Sequence, residues 1–135
     1  MVLEERIEAN RQLIQALAAA PTAAALAEEV VLEDLAQNRV YCGQAAVTAL
    51  LHAFFVEGFA EARAIVRTVL ADERAAMLEF TFCGRQERPF MAIPATGREV
   101  AIPMVLVCHI LAGRVQRAAL YYDAGSFLRQ LGMAI

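Results

Sequence analysis

The chain has 135 residues, 59% of them hydrophobic and 20% charged, with a formal net charge of −3. That length suits one domain, 1–135, and lets roughly two thirds of the unfolded surface be buried without staples. The acidic balance, with no Lys/Arg cluster beyond neighbouring pairs, excludes the footprint that phosphate backbones demand, so no nucleic acid is expected as a partner.

Early charges, Glu4, Glu5 and Arg6, interrupt any signal-peptide core. The longest apolar run, Val100 to Leu111, contains Pro103 and His109 and is too short for a bilayer. No membrane association and a cytoplasmic location are therefore expected. Cys42, Cys83 and Cys108 have no C-x-x-C spacing, and with only His52 and His109 to help them no metal centre is expected. The hydrophobic excess has two natural destinations, a lined cavity or a dimer contact.

Along the chain, Leu3, Ile7, Ile14 and Leu17 fall on one helical face, giving an amphipathic first helix that ends before Pro21. Thr22 offers a cap for a second short helix through about Glu29. Val30 to Leu32 read as a short strand that delivers Glu33 and Asp34. After an irregular segment, Gly43 opens a third helix with Val47, Leu50, Leu51, Phe54 and Phe55 on its apolar stripe, and Gly58 ends it.

From Ala60 the period changes to two. Strands are predicted over about 60–70, 75–83, 98–111 and 114–123, with a Gly/Pro-rich connection before the third of these, and a short helix over about 126–131 closes the chain. The strand from Arg98 to Leu111 is apolar on both faces. Helices first and strands afterwards indicate an α+β fold, with N-terminal helices packed on one face of a curved antiparallel sheet.

Four pieces of the last third read in order Pro94-Ala95-Thr96-Gly97-Arg98, Gly113-Arg114-Val115, Tyr121-Tyr122-Asp123 and Gln130-Leu131-Gly132. This succession resembles the SnoaL-like polyketide cyclases of the nuclear-transport-factor-2-like superfamily. The resemblance implies a cystatin-like cone that encloses a pocket between sheet and helices, and a homodimer through the outer sheet face.

Upstream, Leu26 to Asp34 followed by Gly43-Gln44-Ala45-Ala46-Val47 is similar to the ketosteroid isomerases, in which the aspartate of a V-E-D segment is the general base. By position this implies Asp34 as base. A carboxylate at the mouth of an apolar pocket is desolvated and holds a proton more tightly, which suits it to acid–base work. The isomerases' oxyanion partners do not carry over, because the first helix has no tyrosine and Val105-Leu106-Val107 is wholly apolar. The donors left are Tyr41, Tyr121, Tyr122 and His109.

The SnoaL resemblance implies Asp123 as a second acid–base candidate, although an Asp before Ala-Gly also suits the N-cap of the closing helix. The isomerases place an aromatic lining residue where Tyr122 stands. The catalytic set implied is thus Asp34, Asp123 and Tyr122, with Tyr41, Phe54, Leu106, Cys108 and Ile110 as ligand-binding residues. If Leu106, Cys108 and Ile110 line the cavity, parity turns His109 to the outer face. An epoxide-hydrolase mechanism, which needs an Arg and an Asp two residues apart on the third strand, finds only Glu79-Phe80-Thr81-Phe82 there.

The resulting expectation is a small-molecule-binding protein, without a cofactor, that transfers protons on a hydrophobic carbonyl compound as an isomerase or cyclase. The alternative is a non-catalytic ligand-binding or dimeric interaction module of the same fold.

Overall fold

The computed structural model describes residues 2–133. Helix α1 (Leu3–Ala19) carries Glu4 and Glu5 in its first turn, where the helix dipole favours them, and buries Ile14, Leu17 and Ala18. Buried Asn10 donates from Nδ2 to the Asp72 carbonyl at 3.0 Å, which ties the helix to a strand turn. The expected second helix is not formed. A single 3₁₀ turn (Ala23–Ala25) leads straight into strand β1 (Leu26–Asp34), which therefore begins earlier than the Val30 read from the sequence.

A turn connects β1 to β2 (Arg39–Cys42), and Gly43, at φ 91°, opens α2 (Gln44–His52). The helix runs on into a π-helical turn (Ala53–Glu57), whose wider winding seats both Phe54 and Phe55 in the core. Then come β3 (Ala60–Ala71), β4 (Ala75–Arg85), β5 (Glu99–Leu111), β6 (Arg114–Tyr122) and α3 (Ala124–Gln130). No helix among the described residues is long and apolar enough to cross a membrane.

The six strands form one sheet in the order β2-β1-β6-β5-β4-β3. Neighbours are antiparallel except β1 and β6, which run parallel, so the sheet is mixed rather than wholly antiparallel as expected. Hairpins force antiparallel pairing, but β1 reaches β6 across the whole intervening chain and is free of that constraint. Register shifts in β1, β3 and the β5–β6 pair interrupt the ladder where strands bend.

The core lies between the helices and one sheet face. Leu78, Phe80 and Phe82 of β4 and Ile102, Met104, Leu106 and Cys108 of β5 are buried on it, while Ala101, Pro103 and His109 point outward and are exposed. Strand β6 stops pairing at Tyr122 opposite Met104, leaving the start of β5 without a neighbour on that side. Helix α3 fills the gap: Ala101 N donates to Gln130 Oε1 at 2.7 Å and Gln130 Nε2 donates to Ala101 O at 3.1 Å. Gly132 follows at φ 83°, and a Cβ there would stand 2.5 Å from Arg98 Nε, so the Gln130-Leu131-Gly132 motif is a docking device.

Loop 86–98 is organised by fully buried Gln86. Its Nε2 donates to Ile93 O at 3.1 Å, and its Oε1 accepts from Thr96 Oγ1 at 2.8 Å. Phe90 and Ile93 exchange backbone hydrogen bonds around Met91 and Ala92, both at left-handed φ (48° and 66°). Such a tight turn usually takes Asn and Gly, so here the surrounding packing must hold it.

Candidate functional site

Strand β1 ends at Asp34, which is 0% exposed. The turn after it folds back on the carboxylate: Gln37 N donates to Oδ1 at 3.0 Å and Gln37 Nε2 to Oδ2 at 3.0 Å. This is the local Asp-centred turn that short acidic side chains favour, and Asn38 takes its left-handed φ of 55° as Asn readily does. Leu35 N donates to Leu120 O at 3.0 Å, which keeps the turn against β6.

From the end of β6, Tyr122 donates its hydroxyl to Asp34 Oδ2 at 2.9 Å and accepts from Gln37 Nε2 at 2.7 Å. The Gln37 amide nitrogen also lies 2.9 Å from Met91 Sδ. The Tyr122 ring packs edge-on against Phe54 at 5.8 Å and tilted against Phe127 at 5.8 Å. Phe90 in turn stacks on Phe127 at 5.7 Å, so one side of the site is an aromatic wall.

A cavity of about 310 Å³ opens beside this cluster, lined by Ala36, Gln37, Arg39, Phe90, Met91, Ile93, Tyr122, Ala124, Phe127 and Leu128. Tyr122 is thus both bonded to Asp34 and in contact with the cavity. Asp34 is not among the lining residues; it stands behind Tyr122 and Gln37.

Burial holds the Asp34 carboxyl above its ordinary value, against the lowering influence of its hydrogen bonds from Gln37 and Tyr122. Burial also pushes the Tyr122 phenol up; the Gln37 bond opposes this, and the neighbouring Asp34 and Tyr41 add to it. Tyr122 is therefore held as a phenol, a donor rather than a phenolate. Two protonation states of the pair matter. With Asp34 ionised, Tyr122 donates to it; with Asp34 protonated, the acid can donate to Tyr122 Oη and release the phenol proton toward the cavity.

The remaining residues named from the sequence are dispersed. Asp123 is exposed, and its Oδ1 accepts from Ser126 N at 3.2 Å as the N-cap of α3; it shares no hydrogen bond with Asp34 or Tyr122. Phe54, Leu106, Cys108 and Ile110 are packed in the core, and none is among the residues lining the cavity. Burial pushes the Cys108 thiol up to about 12, which keeps it unreactive. Tyr41, on β2 opposite Leu32, has a buried hydroxyl with no hydrogen-bond partner among the described residues, as does Thr48 on α2. Among the described residues no group of three or more His, Cys, Asp or Glu side chains converges.

Gln37, Arg39, Phe90, Met91 and Phe127 complete the site without having been singled out in the sequence. Arg39 had one legible signal, its place in a strand that could return antiparallel beside Asp34, but residues 35–42 read as irregular.

The arrangement defines an α+β protein of the ketosteroid isomerase-like type, with an acid–phenol pair at a cavity mouth. The family model described as SnoaL-like polyketide cyclase matches residues 4–131, and the chain belongs to that family. Among solved structures it is similar to a candidate SnoaL-like polyketide cyclase from Jannaschia sp. CCS1, with TM-score 0.81 and 17% identity over 96% of this chain and 95% of that one. TsrD from Streptomyces laurentii gives TM-score 0.78 and 19% identity over 99% and 100%. A protein of ketosteroid isomerase-like fold from Catenulispora acidiphila, in complex with trimethylamine, gives TM-score 0.73 and 12% identity over 91% and 92%. At these identities the likeness shows the fold alone. No curated protein matches the chain.

Proposed function

We propose that this protein binds a compact hydrophobic carbonyl compound and transfers protons on it by acid–base chemistry, as an isomerase or cyclase that draws on no cofactor. The observation that carries this reading is the double position of Tyr122, bonded to buried Asp34 at 2.9 Å and lining the cavity. A carbonyl oxygen placed against Tyr122 accepts its proton while solvent water in the open cavity takes the α-proton and later returns one to carbon, and Asp34 in its protonated form replaces the proton on Oη. In the return direction the proton passes from Tyr122 to the Asp34 carboxylate. Tyr122 is then the residue that meets the ligand, and Asp34 acts through it.

The test is deuterium incorporation at the α-carbons of 2-tetralone in D₂O, followed by NMR. Wild-type protein accelerates exchange, and Tyr122→Phe lowers the acceleration by about a hundredfold, the usual contribution of one positioned acid–base group. No acceleration by the wild type, or an undiminished one in the variant, defeats the proposal.

A second reading, a non-catalytic ligand-binding module, is favoured by one observation. Leu106, Cys108 and Ile110 fill the interior, so the cavity is confined to its mouth. On that reading 2-tetralone binds but does not exchange. We also propose a homodimer through the outer sheet face, where Ile65, Leu70 and Tyr121 are exposed beside the outward side of β5.

A further inference from the structure

We infer that the cavity selects a compact ligand of one or two rings that carries a carboxylate, with Arg39 as the residue that binds the anion. This rests on the reading that the cavity takes a small molecule. Three observations lead to it.

The first is the charge of the lining. Among the described residues around the cavity Arg39 is the one charged side chain; the others are apolar or, like Gln37 and Tyr122, neutral and polar. A ligand entering this space meets a single formal charge, and it is positive. A guanidinium offers a planar pair of donors that matches a carboxylate bidentately.

The second is that Arg39 has no counter-ion among the described residues. Asp34 and Arg39 are cross-strand partners in the β1–β2 ladder, so their side chains leave the same face and an ion pair would be the ordinary outcome. The Asp34 oxygens are instead taken by Gln37 N, Gln37 Nε2 and the Tyr122 hydroxyl. Among the described residues the ion pairs are Arg11–Glu8, Arg85–Glu61, Arg85–Glu87 and Arg117–Glu33, and Arg39 is in none of them. An arginine beside a buried acid, yet unpaired with it, is available to an outside anion.

The third is size. The cavity measures about 310 Å³, roughly twice the ~150 Å³ that accommodates one benzene ring. Two fused rings fill it, with Phe90, Phe127 and Leu128 against their faces. A larger polycycle would leave its further rings in water. The ligand therefore carries its acid group at the Arg39 side and its reacting oxygen toward Tyr122.

The experiment compares 2-naphthoate with 2-naphthamide, which share shape and differ in charge, by isothermal titration calorimetry. Wild-type protein binds the acid about tenfold more tightly than the amide, the ratio expected of one partly shielded charge-assisted pair. The preference shrinks as salt is raised. In Arg39→Gln the ratio falls to about two or less, and Arg39→Lys keeps part of it because the charge remains while the fork is lost. Equal wild-type affinities for acid and amide, or an acid preference that survives Arg39→Gln, overturns the inference while leaving the small-molecule reading standing. If neither compound binds, the inference falls, and the exchange of 2-tetralone shows whether the small-molecule reading falls with it.

Discussion

Replacing Asp34 with Asn should change the shape of the stability–pH curve, not only its height. In the folded protein Asp34 is 0% exposed and receives three hydrogen bonds, at 3.0, 3.0 and 2.9 Å. These favour the carboxylate, but desolvation outweighs them and its proton affinity is raised above the unfolded value of 3.8. Between 3.8 and the raised folded value the folded state therefore binds more protons than the unfolded state. Stability from this group is fully present below the unfolded value and falls as pH rises, at a slope no steeper than about 1.4 kcal/mol per pH unit, then stays level.

Asn cannot ionise, so subtracting its curve from that of the wild type isolates the term, all other groups cancelling. At the acidic end Asn is the poorer residue by about 1 kcal/mol, because one oxygen becomes an NH₂ facing Tyr122 and Gln37. As pH rises through the window the difference moves steadily in favour of Asp34→Asn. Each kcal/mol is about 3 °C of melting temperature in a chain this size. The assay is urea unfolding by circular dichroism from pH 4 to pH 8. A difference that does not vary with pH, or one that moves against Asn as pH rises, refutes the claim that burial dominates at this carboxyl.

Three further expectations follow from other contacts. Gln86→Ala removes the donor to Ile93 O and the acceptor of Thr96 Oγ1 inside the 86–98 loop, so it should lower stability by about 2–3 kcal/mol in urea titration. Asp123→Ala removes only the cap of α3, so it should cost about 1 kcal/mol and leave 2-tetralone exchange intact; a collapse of exchange with the fold retained would return Asp123 to the catalytic set. Val105→Asp, on the outward side of β5, should convert a dimer to a monomer by light scattering, and a monomeric wild type at micromolar concentration would remove the proposed dimer face.

The β-rich half was legible because inward and outward sets alternate along β4, β5 and β6; in β3 the register shift between Val66 and Thr68 turns the strand over, so Ala64, Val69 and Ala71 pack on the core while Leu70 is exposed. His109 is exposed, as its parity against Leu106, Cys108 and Ile110 required. The failure lies at Thr22 to Glu29. Thr-Ala-Ala-Ala-Leu-Ala-Glu-Glu has high helix propensity, yet its second half is strand because Leu26 pairs with Val115 and the ladder resumes at Val31. Propensity is worth a few tenths of a kcal/mol per residue, and a place in a six-stranded sheet outweighs it.

The site was half legible for a physical reason. Asp34 and Asp123 look alike in sequence, each an acid at a strand end, and only their surroundings separate them. Asp123 is exposed and accepts a helix-capping bond, an arrangement that stabilises the fold and needs no other justification. Asp34 is withdrawn from water at a free-energy cost, and its hydrogen bonds do not offset that cost. Its partner Gln37 belongs to the local turn three residues on, but Tyr122 comes from 88 residues away, so no local pattern could bring the phenol to the acid. A carboxyl kept buried at a loss, joined to a phenol that reaches a cavity beside an arginine with no ion-pair partner among the described residues, is better explained by what it does to a ligand than by what it does for the fold.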